Sequence, residues 1–338
     1  MNSIVAGAAV AVLQFYDMHL PQSSKTRRPA ARTVRRMKSN RAIQWVAVTL
    51  AIVGVVAALA VLAAQLLAER KRHRAVAVQV APVVYTQDAQ AQVRGKYLYE
   101  TRGCVECHGA NGAGRVFVDH PNGLHLKGAN LTRGNGGAVT RYTEVDWVRS
   151  IRHGVDPAGR PLFAMPSEDF NRLTDSDLAA LVAHVRALPP VDGQGGEIRL
   201  PLIVKGLYAV GVLRDAAEKI DHGLPPSRPV EAAVSVAHGR YVAQACIGCH
   251  GASLAGGRIP GTPPDWPPSA RLAAGEGSVM PAYRTVEDFR MLMRTGRRPD
   301  GSAVDKTMPI SVLKNMNDTD LDALYAFLKA GAVVVASP

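Results

Sequence analysis

Hydrophobic and polar positions follow two rhythms along this 338-residue chain. The first is one unbroken apolar run: residues 42–68 carry no charge and are mostly Ala, Val, Leu and Ile. About 20 such residues in a helix cross the hydrocarbon core of a bilayer, so the run predicts one transmembrane helix. The second rhythm is amphipathic and occurs twice. Leu178, Leu181, Val182 and Val185 stand at i, i+3, i+4 and i+7, as do Leu321, Leu324, Tyr325 and Leu328. Each set gives a helix one apolar face. Capping residues precede each, Thr174-Asp175-Ser176-Asp177 and Asn317-Asp318-Thr319-Asp320, whose short side chains accept the free N–H groups of a first turn.

The two stripes belong to a duplication. Arg94-Gly95-Lys96-Tyr97-Leu98 matches His238-Gly239-Arg240-Tyr241-Val242, and Asp146-Trp147 matches Asp288-Phe289. Arg152-His153-Gly154 matches Arg294-Thr295-Gly296, with Pro157 and Gly159 against Pro299 and Gly301. Each copy predicts three helices: Ala89–Thr101, Glu144–His153 and one from Leu178 in the first; 233–245, Val286–Thr295 and one from Leu321 in the second. Gly95 and Gly239 suit a first helix crossed closely by the last. The expected organisation is all-α, with two tandem domains behind one N-terminal transmembrane helix. Residues 1–41 are cytoplasmic, 42–68 the anchor, 69–87 a linker, 88–190 domain one, 191–232 a connector and 233–332 domain two. Within the connector, 202–220 predicts a helix between Pro/Gly-rich flanks, packing the two domains together. The Pro-rich stretch 259–268 is stiff and extended, and suits shielding of a cofactor edge ahead of docking a partner.

Charge changes the picture only after it is located. The formal net charge is +12, but residues 1–74 hold 12 Lys and Arg against 2 acids. The remaining residues hold 28 basic against 26 acidic side chains. The basicity therefore belongs to the anchor, which argues against a nucleic-acid-binding function. Eight positive charges precede the apolar run and four follow it closely (Arg70, Lys71, Arg72, Arg74), so the positive-inside rule places the N-terminus in the cytoplasm and the repeats in the periplasm. The run is too long for the core of a cleaved signal peptide. Met37, just ahead of the apolar run, is the expected start of translation, with 1–36 untranslated or disordered.

The chemistry lies in Cys104-Val105-Glu106-Cys107-His108 and Cys246-Ile247-Gly248-Cys249-His250, both C-x-x-C-H, the signature of c-type haem attachment. Thiols one helical turn apart form two thioethers to the haem vinyl groups, and the next histidine ligates the iron. The motifs use all four cysteines of the chain, and lie too far apart in sequence, with unexplained histidines, to suggest a shared zinc site. The thioredoxin-type alternative lacks a βαβ context. Two covalent haem c groups are expected, with His108 and His250 as proximal ligands. Met165-Pro166 lies 57 residues past His108, and Met308-Pro309 lies 58 past His250. A thioether raises the haem potential and fills the sixth position, so Met165 and Met308 are the expected distal ligands. Met280-Pro281 competes in the second copy, although its counterpart near Ala138 has no Met. His153 and His184 face Thr295 and Phe327 in the repeat, so neither has a role common to both haems; His120 and His125 fall in a Gly-rich loop.

From about Asp88 to the C-terminus these motifs, with the capped terminal helix, resemble membrane-anchored di-haem proteins of the class I cytochrome c family. They are also similar to the cytochrome c subunits of bacterial periplasmic alcohol and gluconate dehydrogenases, which typically carry three such domains where this chain has two. The resemblance implies the helical cytochrome c fold, His/Met ligation and electron transfer. The expected function is a non-enzymatic carrier of single electrons in the bacterial inner membrane. Its expected partners are a periplasmic donor, such as a dehydrogenase, and a respiratory acceptor, a cytochrome or oxidase. The alternative is a di-haem enzyme such as a cytochrome c peroxidase, which needs one open iron position; a haem-based sensor is a third reading, with no recognisable signalling domain.

Overall fold

The structure is a computed structural model and describes residues 41–331, apart from Gln194, Pro260, Gly261, Pro263 and Pro264. The expected start at Met37, most of the cytoplasmic segment and much of the Pro-rich shield lie outside the described residues. The chain divides into two units, Met1–Val53 and Gly54–Pro338. The described part of the first is the opening of helix α1 (Arg41–Arg72), with every residue exposed. Across its apolar window α1 has a mean hydropathy of 2.8 and nothing buried, long and apolar enough to cross a membrane.

In the second unit each repeat builds the expected helices. The first has α2 (Ala89–Thr101), α3 (Cys104–His108), α4 (Glu144–His153), α5 (Ser167–Phe170) and α6 (Asp175–Ala187). The second has α8 (Val236–Val242), α9 (Ile247–His250), α10 (Val286–Thr295), α11 (Ile310–Leu313) and α12 (Asp318–Lys329), with α7 (Leu202–Ala209) between the repeats. Caps set the helix starts. The Thr174 hydroxyl accepts the Asp177 N–H and the Asn317 side-chain Oδ1 accepts the Asp320 N–H, at 3.1 and 2.8 Å. α8 opens at Val236, three residues later than its sequence suggests, because Ser235 caps it by accepting the His238 N–H at 3.1 Å.

Both first helices lie against the last helix of their repeat, as the glycines suggested. A Cβ on Gly95 would stand 1.9 Å from the Ala180 carbonyl oxygen, and one on Gly239 1.9 Å from that of Ala323. Around each crossing lies a core. The first includes Leu98, Tyr99, Trp147, Leu178 and Val182, and the second Val242, Phe289, Leu321, Leu324 and Phe327.

Two features depart from the sequence reading. The Gly-rich loop after α3 folds into a hairpin, β1 (Val116–Asp119) and β2 (His125–Lys127), and the connector adds β3 (Glu197–Arg199). The sheet is antiparallel in the order β1-β2-β3, with Leu126 opposite Val118 on one side and Ile198 on the other. The connector helix is also shorter than expected: α7 stops at Ala209, Gly211 takes φ +80°, and only a 3₁₀ turn at Ala217–Lys219 follows. This stretch is fastened to what precedes it in the chain. Among the described residues its hydrogen bonds run to the first repeat and to the end of α1, as in Ser227 N–H to Arg172 O (3.1 Å) and Arg74 to Asp215 (2.5 Å).

The repeats meet each other directly, through matched residues. The Tyr97 hydroxyl donates to Asp320 at 2.7 Å and accepts the Asn317 N–H at 3.1 Å. Its counterpart Tyr241 donates to Asp177 at 2.6 Å and accepts the Thr174 N–H at 3.3 Å. Each carboxylate is also held from within its own repeat, Asp177 by Arg94 (2.8 and 2.9 Å) and Asp320 by His238 (2.7 Å). Every group in one clamp has its sequence counterpart in the other, so the interface has pseudo-two-fold symmetry, the self-complementary contact of a two-fold dimer. Burial works against the charge on Asp177, but the Arg94 guanidinium outweighs it and holds the carboxyl below its ordinary range.

Candidate functional site

Both attachment motifs form short helices that end at a glycine, and the first is also entered through one; the second is entered from a 3₁₀ turn, Ala243–Cys246. Gly103, at φ +82°, turns the chain into α3, and Gly109, at φ +74°, ends it. α9 ends the same way at Gly251, φ +76°. The following loop closes on each motif by backbone bonds: Gly114 N–H to His108 O at 2.8 Å, and Gly256 N–H to His250 O at 3.0 Å. Closure needs glycine at Gly128, where a Cβ would stand 1.9 Å from the Cys107 carbonyl oxygen.

That loop also orients the histidines. His108 Nδ1 lies 2.8 Å from the Ala129 carbonyl, and His250 Nδ1 lies 2.8 Å from that of Ala270. A carbonyl only accepts, so Nδ1 carries the proton in both rings and Nε2 presents its lone pair. Backbone acceptors that fix the tautomer of a metal-binding histidine are a common second shell of support. Burial pushes both imidazoles below their ordinary pKa, against the carbonyl bonds, and so favours the neutral ring that binds metal. Burial, followed by the neighbouring Cys107, raises the Cys104 thiol to about 12; burial, followed by Asp169, does the same to Cys246.

Beside the first motif lies an apolar cavity of about 300 Å³. Cys104, Cys107, His108 and Met165 all line it, so the structure brings the expected ligands of the first repeat to one space. Phe117, Leu126 and Ile198 of the sheet form another part of its wall. Here the sequence missed a group. Trp147 also lines the cavity, and its buried indole N–H has no hydrogen-bond partner among the described residues. In the second repeat the buried Arg271 Nε, next to Ala270, is likewise unpartnered. Orphaned buried donors are costly unless something accepts from them. Thiol pairs, imidazoles with a bare Nε2, apolar walls and spare donors for acidic propionates together fit a haem.

The two methionines expected as distal ligands follow one backbone plan. Pro166 and Pro309 have φ/ψ of −81/60° and −79/65°, and each introduces a short helix, α5 or α11. The Met165 carbonyl accepts the Ser167 N–H at 2.9 Å, and the Met308 carbonyl accepts the Ile310 N–H at 2.8 Å. Met308 packs partly buried in the core cluster that includes Cys246. The same cluster holds Met280, only 4% exposed, in a 3₁₀ turn, Met280–Ala282. The other histidines find ordinary partners: His184 sits edge-on to Tyr99, His125 pairs with Asp119 at 3.1 Å, and His153 contacts His222 at 3.1 Å.

The two motifs are also close to the interface between the repeats. Asp169 in α5 accepts the Gly248 N–H, inside the second motif, at 2.7 Å, while Ser311 in α11 reaches Glu106, inside the first, at 3.3 Å. Burial, and then Glu168, raises the Asp169 carboxyl well above its ordinary range.

Helix-borne thiols, an oriented imidazole and a closing Gly-rich loop are the plan of a domain that binds haem covalently, and this chain carries the plan in both halves. Comparison with known proteins agrees: the family model "Cytochrome c" matches residues 92–189 and 236–332, and the chain belongs to the cytochrome c family. As in that family, the haem is haem c, covalently bound. Similar proteins include the fructose dehydrogenase cytochrome subunit of Gluconobacter japonicus, 31% identical over 131 residues, which are 37% of this chain and 27% of that protein. The gluconate 2-dehydrogenase cytochrome c subunit of Pantoea cypripedii is 24% identical over 70% of this chain and 58% of its own length. The cytochrome c subunit of the quinone alcohol dehydrogenase of Gluconobacter oxydans is 27% identical over 74% of this chain and 49% of its own. The chain thus spans less than two thirds of each of these relatives.

Proposed function

We propose that the chain holds two haem c groups, one per repeat, and carries single electrons from a dehydrogenase in the periplasm to a respiratory acceptor. The observation that carries this reading is the matched pair of sites, each with an oriented histidine before a Met-Pro of the same backbone geometry. Cys104 and Cys107 tether one group, and Cys246 and Cys249 the other. His108 with Met165, and His250 with Met308, would hold the iron. Bound haem supplies a one-electron couple at iron; saturated His/Met ligation suits that task and leaves no open position for a substrate. The apolar walls keep water from the site, and the two carboxylate clamps hold the repeats at a fixed separation. A dehydrogenase partner is supported by the names of the similar proteins, and α1 supplies the membrane anchor.

Optical and EPR spectra of the purified holoprotein test the reading. Two low-spin haems per chain and the far-red band of Met-to-iron ligation are expected. A high-spin fraction that binds peroxide or CO would replace it with a di-haem peroxidase.

A further inference from the structure

We infer that the segment 202–212, inserted between the repeats, lies in the surface of the lipid bilayer as a second membrane contact beside the anchor. The inference rests on α1 being that anchor. The face of α7 carries it. Leu202, Ile203, Gly206, Leu207 and Val210 fall within an arc of about 140° at 3.6 residues per turn. A helix on the surface of a water-soluble protein turns such a stripe inward. This one turns it outward: Ile203 is 77% exposed, Val210 73% and Leu202 42%. The buried side chain is Tyr208, on the opposite face. Between Arg199 and Arg214 the only charged residue is Lys205, and it bends back to Glu69 at 3.4 Å.

Position decides what covers the stripe. α7 is fastened to the point where α1 ceases to be apolar. Lys71 Nζ donates to the Tyr208 carbonyl at 2.9 Å. The Tyr208 hydroxyl donates to Asp215 at 2.7 Å, and Arg74 grips both oxygens of that carboxylate, at 2.5 and 3.0 Å. Ala68, the last residue of the uncharged run, is fully buried, and Glu69 to Arg74 follow it directly. Lys71 lies three residues past Ala68, less than one 5.4 Å turn. The outward stripe is therefore held at headgroup depth, where amphipathic helices bury their apolar face about 5–10 Å into the boundary. Arg70, exposed at the end of α1, suits the phosphates at that level. The occupant is the lipid itself. α7 would then fix the height and tilt of the haem repeats above the bilayer, which a single span cannot do.

The test uses the full-length holoprotein in lipid nanodiscs. Its four native cysteines are taken up by haem, so one added cysteine is the only free thiol. Ile203→Cys and Val210→Cys alter exposed positions and leave the fold intact. They are compared with Met291→Cys, half exposed in the second repeat, and Leu59→Cys, in the anchor. The readout is the rate of alkylation by a charged, membrane-impermeant reagent, followed by mass. At positions 203 and 210 the expected rate is at least about tenfold below that at 291, because a thiol in lipid neither ionises nor meets the reagent. Rates at 203 and 210 equal to that at 291, with position 59 protected, would overturn the inference and leave the anchor standing. A freely reacting position 59 would overturn both. Protection at 203 and 210 that is absent in nanodiscs and present in native membranes would assign the stripe to a protein partner, and would also overturn the inference.

Discussion

Tyr97→Phe should loosen the junction between the repeats without touching either haem site. The change deletes one oxygen that makes two bonds, the 2.7 Å donation to Asp320 and the 3.1 Å acceptance from Asn317. Asp320 is only 1% exposed, so water does not readily replace the lost donor, and the carboxylate keeps only His238 at 2.7 Å and the longer Arg102 pair at 3.9 Å. A hydrogen bond to a carboxylate in such a place contributes about 1.5–3 kcal/mol. In a folded unit of this size each kcal/mol moves the melting temperature about 2–4 °C, so a loss of ~2 kcal/mol predicts a fall of about 4–8 °C. Tyr241→Phe should cost a similar amount, since it removes the equivalent bonds at 2.6 and 3.3 Å. Thermal unfolding of the holoprotein, followed by circular dichroism or calorimetry, gives the values. With both tyrosines replaced, the single transition should separate into two. Tyr85→Phe is the control: its hydroxyl bonds an exposed backbone carbonyl at 3.0 Å and should count for less. A double variant that melts within about 1 °C of the parent, in one transition, would refute the idea that these clamps join the repeats.

Other expectations follow from the same geometry. Gly95→Ala and Gly239→Ala each place a Cβ 1.9 Å from a carbonyl oxygen of the opposing helix; both should sharply reduce the yield of folded holoprotein in an expression assay, more than Gly206→Ala, whose Cβ meets nothing nearby. Met308→Ala should remove the far-red band of the second haem, whereas Met280→Ala should keep it and lower stability by about 2–5 kcal/mol in denaturant titration, as for a buried methionine. Burial, with help from His222 and Arg152, holds the folded-state pKa of His153 at about 4, against an ordinary 6.5. The unfolded chain therefore binds the extra proton first, so stability should fall as pH drops from about 6.5 toward about 4, and His153→Gln should flatten that part of the profile.

The sequence revealed most of what depends on side-chain identity. The thiols, the histidines and the stripes of the last helices were legible because each is a residue type at a fixed spacing. The close helix crossings were legible too, since Gly95 and Gly239 recur at matched places. Missing was whatever depends on backbone atoms or on partners far along the chain. The Ala129 and Ala270 carbonyls that orient the histidines carry no mark in the sequence, because any residue supplies a carbonyl. The clamps could have been suspected from the repeat, which aligns Tyr97 with Tyr241 and Asp177 with Asp320, but not that each tyrosine reaches the other repeat's carboxylate. β3 escaped notice because three residues are too short to show a period. The connector looked like a bridge because it lies between the domains in sequence, yet its polar groups pair with the first repeat and the anchor's end.

The late third strand also bears on how the protein is made. Ile198 and Gly196 line the first cavity, although they come after the last helix of that repeat. As the chain emerges N-terminus first, the first thiol pair and its imidazole are complete long before that wall arrives. The pocket thus stays open on one side until that later segment reaches it. A fragment cut at the end of α6 would keep every haem-bonding side chain of the first repeat and still be a cup without its lid.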